Sequence, residues 1–299
     1  KVPTPKGAGL VIIPIVAIST LIFFNFIDQF FFEWIAVFLL CFLLGIISFI
    51  DDIKNLSTKI RLFLQFFIVS LSLIIYIEPI TNNLFSAPVS FEKYIPLIIC
   101  FLFMSILVSW MWIINLYNFM DGIDGLTALQ VCTVAICTNF LSIWGYINEE
   151  YQYFSLILFT VYLAFYKFNQ SPAKIFLGDV GSIPSGYLVG FIMISCLLTN
   201  GILLPIVIVN MYYILDSSIT LLIRFYKRDN VLEAHSDHFY QKMIRKGYQH
   251  SYVIKWIFTL NNILLILSLL SMKLPIISFI FSILFTTALL YLFYIKKEI

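Results

Sequence analysis

Long apolar runs separated by short polar segments dominate this amino-acid sequence. A membrane-spanning helix needs about 20 predominantly apolar residues, with a working range of roughly 17–25. The runs of about that length are candidate spans, and they cover residues 10–27, 34–50, 62–77, 95–114, 126–146, 153–168, 183–199, 202–223, 252–270 and 275–295. No soluble domain fits between these ten segments. The pattern therefore predicts an all-α, polytopic membrane helix bundle in which residues 1–299 form a single domain.

The basic residues predict an orientation for this bundle. If the segments between the spans alternate sides, every Lys and Arg except Lys93 and Lys273 falls on one side. Short cytoplasmic loops carry an excess of Lys and Arg, so this side is predicted to be cytoplasmic. Only 11% of the residues are charged, against about 25% in a soluble domain. The net charge of +2 does not indicate a nucleic-acid partner, and the five cysteines, in or beside apolar runs, predict no disulfide.

Two polar clusters on this side carry paired acids. In "FIDDIKNLSTKIR", Asp51 and Asp52 end a span, where they are candidates for a base or a cation site. In "NLYNFMDGIDGL", residues 115–126, two amides and two acids follow one another at intervals of three. On a continuous helix that spacing turns each side chain back by about 60°. We therefore expect the helix to tighten or break near Gly122 if the four are to share a ligand.

Two further clusters suit phosphate chemistry. In "KIFLGDVGSIPSG", Asp179 lies between two glycines at a helix start, where backbone N–H groups favour phosphate. Mg²⁺ typically takes one or two protein carboxylates and completes its octahedron with phosphate oxygens and water. The basic loop with His235 and His238 suits phosphate oxygens better than zinc, because no third close ligand accompanies the pair. A solvated helix end, a polar loop and a basic surface loop remain the structural alternatives for these clusters.

Five motifs occur in the order typical of a known family: "TPKGAG", "DDIKNLSTKIRLFLQ", "NLYNFMDGIDGL", "FLGDVGS" and "AHSDHFYQ". The chain resembles the polyprenyl-phosphate N-acetylhexosamine-1-phosphate transferases, that is, glycosyltransferase family 4, which includes the phospho-MurNAc-pentapeptide translocase. The resemblance implies a Mg²⁺-dependent enzyme of the bacterial plasma membrane with a cytoplasmic active site. Such an enzyme transfers a sugar 1-phosphate from a UDP-N-acetylhexosamine to undecaprenyl phosphate and releases UMP.

The resemblance assigns the central motifs to the metal and the nucleotide sugar. Asn118 and Asp179 resemble the Mg²⁺ ligands, with Mn²⁺ as an alternative ion, and Asp179 is also expected to be catalytic. Asn115, Asp121 and Asp124 look like the contacts to the uridine or the nucleotide sugar.

The second motif is assigned to the lipid acceptor. Asp51 and Asp52 match paired acids for which a role in deprotonating or orienting the lipid phosphate has been proposed. Lys59 and Arg61 fall where the family places a basic residue for that phosphate.

The remaining candidates lie near the two ends of the matched motifs. His235 and His238 match the histidine loop near the sugar phosphates, and Lys6 is expected to reach a phosphate. Asp216, the one acid within a predicted span, sits where bacterial members carry an acid and is taken as a substrate contact. Ser236 departs from the family, which has Arg there in many bacterial relatives. One phosphate contact is therefore lost or comes from Arg224, Lys227 or Arg228.

Several points remain open at this level. The family normally has a span before the first motif, which predicts a trimmed N-terminus and eleven spans in the whole protein. The histidine loop and the lack of large outer domains resemble the branch that initiates O-antigen and capsule synthesis, with GlcNAc or a deoxy N-acetyl sugar as the sugar. A homodimer is left open.

Three other classes are the functional alternatives. A transporter would place polar groups near the middle of the bilayer. A CDP-alcohol phosphotransferase would need an Arg that "DGIDGL" lacks, and an aromatic prenyltransferase would need a third acid where "DDIKN" ends in Asn.

Overall fold

The computed structural model describes residues 3–27, 32–76, 95–230, 233 and 235–298, and regular structure within these ranges is helical. The α-helices are α1 Gly9–Phe26, α2 Phe32–Lys54, α3 Thr58–Leu73, α4 Ile95–Phe119, α5 Leu126–Ile143, α6 Glu150–Asn169, α7 Asp179–Asn200, α8 Leu204–Val209, α9 Met211–Tyr226, α10 Phe239–Arg245, α11 His250–Leu270 and α12 Pro275–Ile295. A short 3₁₀ turn, Ile74–Tyr76, continues α3. Residues 28–31 and 77–94, most of them predicted to lie on the outer side, fall outside the described residues.

Seven of the described helices are long and apolar enough to cross a membrane: α1, α2, α4, α5, α7, α11 and α12. The protein is therefore a multi-pass membrane protein. Two further predicted spans correspond to α3, which has 16 residues, and to the more polar α6, which has 20. The total of about ten spans stays a prediction.

The predicted span over residues 202–223 consists of two helices, and that the two together cross the membrane stays a prediction. The chain leaves the helix at Asn210, between α8 and α9. The Asn210 side chain is fully buried there, and its Oδ1 accepts hydrogen bonds from Tyr117 Oη at 2.8 Å and Gln130 Nε2 at 3.1 Å. Gln130 Nε2 also donates to the Val209 carbonyl at 3.0 Å, and Asn261 Nδ2 donates to Gln130 Oε1 at 3.1 Å. These side chains satisfy backbone and amide groups that an apolar bilayer would leave unpaired.

Helix α7 lies at the centre of the bundle and is the most deeply buried of the candidate spans. Its first turn packs directly against the first turn of α1 through glycines. A Cβ on Gly9 would lie 2.3 Å from the Gly181 Cα, which leaves no room for a side chain. The loop before α1 is fixed to the loop before α7, because the Gly7 and Ala8 N–H groups both donate to the Phe176 carbonyl at 3.1 Å.

The polar clusters gather at one end of the bundle, as the alternation of the spans predicts. Asn118 at the end of α4 contacts Asp179 at the start of α7, 3.4 Å apart between Nδ2 and Oδ2. Asp124, before α5, contacts His250 at the start of α11, 3.0 Å apart. The side of the membrane on which this end lies stays a prediction.

Candidate active site

The stretch "NLYNFMDGIDGL" changes direction where the sequence predicts a break. Helix α4 carries Asn115 and Asn118 and ends at Phe119, and the next helix begins at Leu126. Gly125, just before α5, has φ +81°, a left-handed conformation that glycine adopts without strain. Gly122 has the Tyr240 hydroxyl against it, and that hydroxyl donates to the Phe119 carbonyl at 2.9 Å.

A cavity of about 700 Å³ opens beside this turn. It brings together residues from four of the five sequence motifs, which lie far apart along the chain. The predicted site residues that line it are Arg61, Asn115, Asn118, Asp121, Asp179, His235 and His238. The cavity also has an apolar wall, formed by Leu62, Val108, Met111, Trp112, Ile183 and Leu221. A polar site for a charged group and a surface for a hydrocarbon chain are thus continuous.

Acidic groups are concentrated around Asp179. Burial, with a further contribution from the Asp179 charge, raises the pKa of Asp121 to about 7. The Thr127 hydroxyl, 2.6 Å from Asp121 Oδ1, and the Gly178 N–H oppose that rise. Lys6, in the loop before α1, is close enough to lower the same pKa. Two carboxyl groups whose charges repel each other in this way favour a bound cation, which offsets the repulsion.

The donors around Asp179 fit a magnesium ion. Among the described residues, no group of three or more His, Cys, Asp or Glu side chains is placed to hold a metal. Mg²⁺ does not need such a group, because phosphate oxygens and water supply most of its ligands. The Asn118 amide lies against the Asp179 carboxylate, and rotating that amide by 180° would present its oxygen as a second ligand. Asn118 and Asp179 are therefore the residues that would hold the ion.

The paired acids of α2 interact with different groups. Helix α2 continues to Lys54, so Asp51 and Asp52 diverge by about 100°. Asp51 Oδ2 pairs with Arg61 Nη1 at 3.0 Å, and Asp51 Oδ1 accepts from the Leu56 N–H at 2.7 Å. Asp52 instead lies in the electrostatic field of Asp179 and Lys6. Asp51 thus fixes Arg61 and the turn before α3, whereas Asp52 faces the acidic group.

Asp216 lies beneath the histidine loop rather than on the cavity surface. It is fully buried, and its Oδ1 lies 3.1 Å from both His238 Nδ1 and the Phe239 N–H. The Tyr212 hydroxyl donates to Asp216 Oδ2 at 3.1 Å. Asp216 therefore caps α10 and orients His238, whose ring lines the cavity.

His235 is held as a neutral ring. Burial, together with the neighbouring His238 and Arg224, lowers the pKa of His235 to about 4. The His235 and His238 rings lie 5.1 Å apart between centroids, and the Phe119 ring stacks on His238 at 6.1 Å. The loop thus presents two adjacent imidazole rings to the cavity.

The arginines near Ser236 are bound to the histidine loop itself. Arg224 Nη1 pairs with Asp237 at 2.5 Å, and Arg224 Nη2 donates to the Asn230 carbonyl at 3.0 Å. Arg245 contacts both Asp237 and Ser236 at 3.4 Å. These contacts fix the loop, and Arg224 and Arg245 are absent from the lining of the cavity.

Four predicted site residues do not line the cavity, besides the two acids of α2. Asp124 is turned away from it: Oδ1 pairs with His250 and Oδ2 accepts from the Ala173 N–H at 3.1 Å. Lys59 is exposed on α3, and Lys6 is exposed at the edge of the acidic group. Asp216 is enclosed as described. The role of each in binding substrate stays a prediction.

Sequence reasoning missed two kinds of residue in the cavity. Gln65 is the last residue of the motif "DDIKNLSTKIRLFLQ" but was given no role, and its spacing of four from Arg61 was the available signal. Trp112 belongs to an apolar run, so nothing in the pattern distinguished it from residues that face lipid, and Phe119 lies between the polar residues of "NLYNFMDGIDGL" without a polar group of its own.

Comparisons with known proteins show the family of the chain. Residues 34–197 match the model of glycosyl transferase family 4. This region extends from the first turn of α2 to the last turn of α7 and contains Asp52, Asn118, Asp121 and Asp179. The phospho-N-acetylmuramoyl-pentapeptide-transferase of Lactococcus lactis subsp. cremoris is 29% identical over 238 residues, which cover 76% of this chain and 68% of that relative.

Two other relatives extend the comparison. The phospho-N-acetylmuramoyl-pentapeptide-transferase of Caldicellulosiruptor bescii is 28% identical over 91% of this chain and 85% of its own length. A Bacillus subtilis protein, named as a probable undecaprenyl-phosphate N-acetylglucosaminyl 1-phosphate transferase, is 24% identical over 75% of this chain and 63% of its own length. Since the family match covers more than half of the residues, the chain belongs to glycosyl transferase family 4.

Proposed function

We propose that this protein transfers a sugar 1-phosphate from a UDP-N-acetylhexosamine to undecaprenyl phosphate, giving UMP and a lipid-linked sugar diphosphate. The observation that carries the proposal is the cavity in which Asn118, Asp121 and Asp179 lie beside an apolar wall. A nucleotide diphosphate suits the acidic end through a cation, and a polyprenyl chain suits the wall. The name of the B. subtilis relative, which includes undecaprenyl phosphate and N-acetylglucosaminyl 1-phosphate, supports the same kind of transfer.

In the proposed reaction, an oxygen of the lipid phosphate attacks the phosphorus that carries the sugar. A new phosphorus–oxygen bond forms, and the bond between the two phosphates of the UDP-sugar breaks, so that UMP leaves. Asn118 and Asp179 would hold Mg²⁺, which supplies charge compensation for the diphosphate when bound. The protein's main task is to position the two phosphates in line.

Several residues around the proposed ion would contribute to positioning the two phosphates. His238 keeps its Nδ1 on Asp216, so Nε2 is the nitrogen left for a ligand. Nε2 donates to a phosphate oxygen when the ring carries a proton on both nitrogens. Arg61 is held in the cavity wall by Asp51 and supplies a fixed positive charge. Asp52 and Lys6 lie at the edge of the acidic group, where Asp52 is the candidate base for the acceptor. Asp124 fixes the turn before α5 through its contacts with His250 and the Ala173 N–H.

The wider setting is proposed on the sequence pattern. The whole chain forms one transferase domain of about ten spans in the plasma membrane of a bacterium, with the cavity on the cytoplasmic side. The product starts a cell-surface glycan such as O-antigen, with GlcNAc or a deoxy N-acetyl sugar as the sugar.

A transporter is the second candidate, and the break at Asn210 is the observation in its favour, because transporters bind substrates at interrupted helices. The polar atoms at this break, however, are bonded to other protein groups. Asn210 Nδ2 donates to the Ile206 carbonyl at 2.8 Å, and Oδ1 accepts two bonds. The break therefore serves packing better than binding.

The test is UMP release by the purified protein in nanodiscs, with undecaprenyl phosphate, Mg²⁺ and a panel of UDP-N-acetylhexosamines. We expect UMP and a lipid-linked product with at least one sugar, and loss of both when EDTA is added. Absence of UMP with every sugar, at confirmed folding, would contradict the proposal. Uptake of labelled UDP-sugar into proteoliposomes without UMP release would favour the transporter.

A further inference from the structure

Two amide side chains meet on the wall of the cavity. Asn115 Nδ2 on α4 donates to Gln65 Oε1 on α3 at 2.9 Å, and both residues line the cavity. The same Nδ2 donates to the Met111 carbonyl at 2.7 Å. A carbonyl accepts but does not donate, so this contact fixes which end of the Asn115 amide is nitrogen. The orientation of the Gln65 amide follows, because its oxygen must receive the Asn115 proton.

The pair leaves complementary groups for a ligand. Within the described part of the chain, the Gln65 Nε2 group has no hydrogen-bond partner, and neither has Asn115 Oδ1. Gln65 is nevertheless only 4% exposed. The Gln65 Nε2 atom is not itself enclosed, so its N–H groups are open to an acceptor that enters the cavity. The cavity is the place from which an acceptor can reach the Gln65 N–H groups.

The surroundings identify the kind of acceptor. Arg61 lies one helical turn before Gln65 on α3, so the guanidinium and the amide share one face. On the same walls are Leu62, Val108 and Trp112, which form an apolar surface. A ligand that fits both features has an anionic, hydrogen-bond-accepting head and a hydrocarbon tail. The Asn118–Asp179 pair lies on the other side of Asn115, toward the end of α4.

We propose that Gln65 and Asn115 form the subsite for the monophosphate of the lipid acceptor, with Gln65 as the donor to a phosphate oxygen. This inference rests on the proposed function and refines it. It moves Asn115 from the nucleotide sugar, where the family resemblance placed it, to the acceptor. The arrangement seats the acceptor phosphate one helical turn from Asn118, between the apolar wall and the proposed metal ligands.

The test compares Gln65→Glu with the wild type at pH 8. Glutamate has the same shape and still accepts the Asn115 bond, but it replaces the free N–H groups with a negatively charged oxygen. We expect the KM for undecaprenyl phosphate to rise about tenfold to a hundredfold, the range for loss of a hydrogen bond to a charged group. The KM for the UDP-sugar should change less than twofold. Gln65→Met, which removes the donor without adding charge, should shift the same constant.

Gln152→Glu is the matched control, because Gln152 lies in the first turn of α6 at the opposite end of the bundle. It should leave both constants unchanged. A rise in the UDP-sugar KM alone, or no change in either constant, would overturn the proposal. So would a fall in kcat with both constants unchanged.

A binding measurement separates this inference from the proposed function. Farnesyl phosphate should raise the melting temperature of the wild type more than farnesol does, and Gln65→Glu should remove that difference. If the wild type releases no UMP from any UDP-sugar but keeps this phosphate-dependent shift, the proposed reaction fails and the lipid-phosphate subsite stands. If the variant keeps the full shift, the subsite fails whatever the enzyme does.

Discussion

His238 Nδ1 lies 3.1 Å from Asp216 Oδ1, an oxygen that also lies 3.1 Å from the Phe239 N–H. One buried carboxylate on α9 therefore fixes both the imidazole ring and the first turn of α10. Asp216 stands where an acid inside a span is expected to serve function. Its contacts indicate that it serves function through His238.

Asp216→Asn should lower kcat about tenfold to a hundredfold, as loss of a group that orients a functional side chain does. The amide can still accept from Phe239, so the protein should fold, but the charge that holds the His238 ring is lost. Steady-state kinetics of UMP release measures the effect.

A double-mutant cycle with His238→Gln distinguishes positioning from structural support. If Asp216 acts through His238, the double variant should be no slower than His238→Gln alone. Additive losses would show that Asp216 has a separate role.

Asp179→Ala should abolish Mg²⁺-dependent UMP release, because Asp179 is the carboxylate that would hold the ion. We expect a loss of about a hundredfold to a thousandfold or more, the range for removing a group that stabilises transition-state charge. Asp229→Ala removes an exposed carboxylate just after α9 and serves as the control. Full activity of Asp179→Ala would refute the metal assignment.

The lowered pKa of His235 predicts that the stability of the folded protein depends on pH. Its pKa in the folded protein, about 4, lies below the ordinary value of about 6.5. Between these values the unfolded chain binds the proton and the folded protein does not, so stability falls as the pH decreases from about 6.5 to 4. His235→Gln should reduce that slope. Thermal unfolding at a series of pH values measures it, and equal slopes for the two proteins would contradict the prediction.

The close contact between α1 and α7 predicts that adding one methyl group at Gly9 strongly lowers the free energy of unfolding. A Cβ on Gly9 would lie 2.3 Å from backbone atoms of Gly181, and backbone cannot move aside as a side chain can. Gly9→Ala should destabilise the protein by about 1–3 kcal/mol or more. Gly45→Ala is the control, because its Cβ would lie at ordinary distances of 3.6 Å from Pro184 and Val180. Equal melting temperatures for the two variants would contradict this prediction.

The sequence predicted the parts of the fold that follow from local pattern. Apolar length identified most of the long helices, and the glycines of "NLYNFMDGIDGL" predicted the turn after Phe119. The alternation of spans predicted that Asn118 and Asp179 would lie at the same end. These features depend on periodicity and on backbone conformation, and both are determined by residues that are close together in the sequence.

What the sequence could not predict depends on partners distant along the chain. Asp124 and Asp121 are both acids in one motif, yet one faces His250 and the other the cavity. The packing of α11 and of the loop before α7 against the turn distinguishes them. The break at Asn210 is a similar case, since a single Asn in an apolar run is compatible with a continuous helix until Tyr117 and Gln130 are placed beside it.

The amides around Asn210 have a consequence for how the chain is assembled during synthesis. Asn261, which donates to Gln130, belongs to α11 and leaves the ribosome more than fifty residues after Asn210. Until α11 inserts, the acceptor oxygen of Gln130 lacks this donor while it lies in or beside the bilayer. Helices that enter a membrane singly associate afterwards, with polar groups among the forces that hold them together. The bonds from Tyr117 and Gln130 to the interrupted segment can form earlier, so α11 is expected to complete this network rather than to start it, and intermediates arrested before residue 250 should lack only the Asn261 bond.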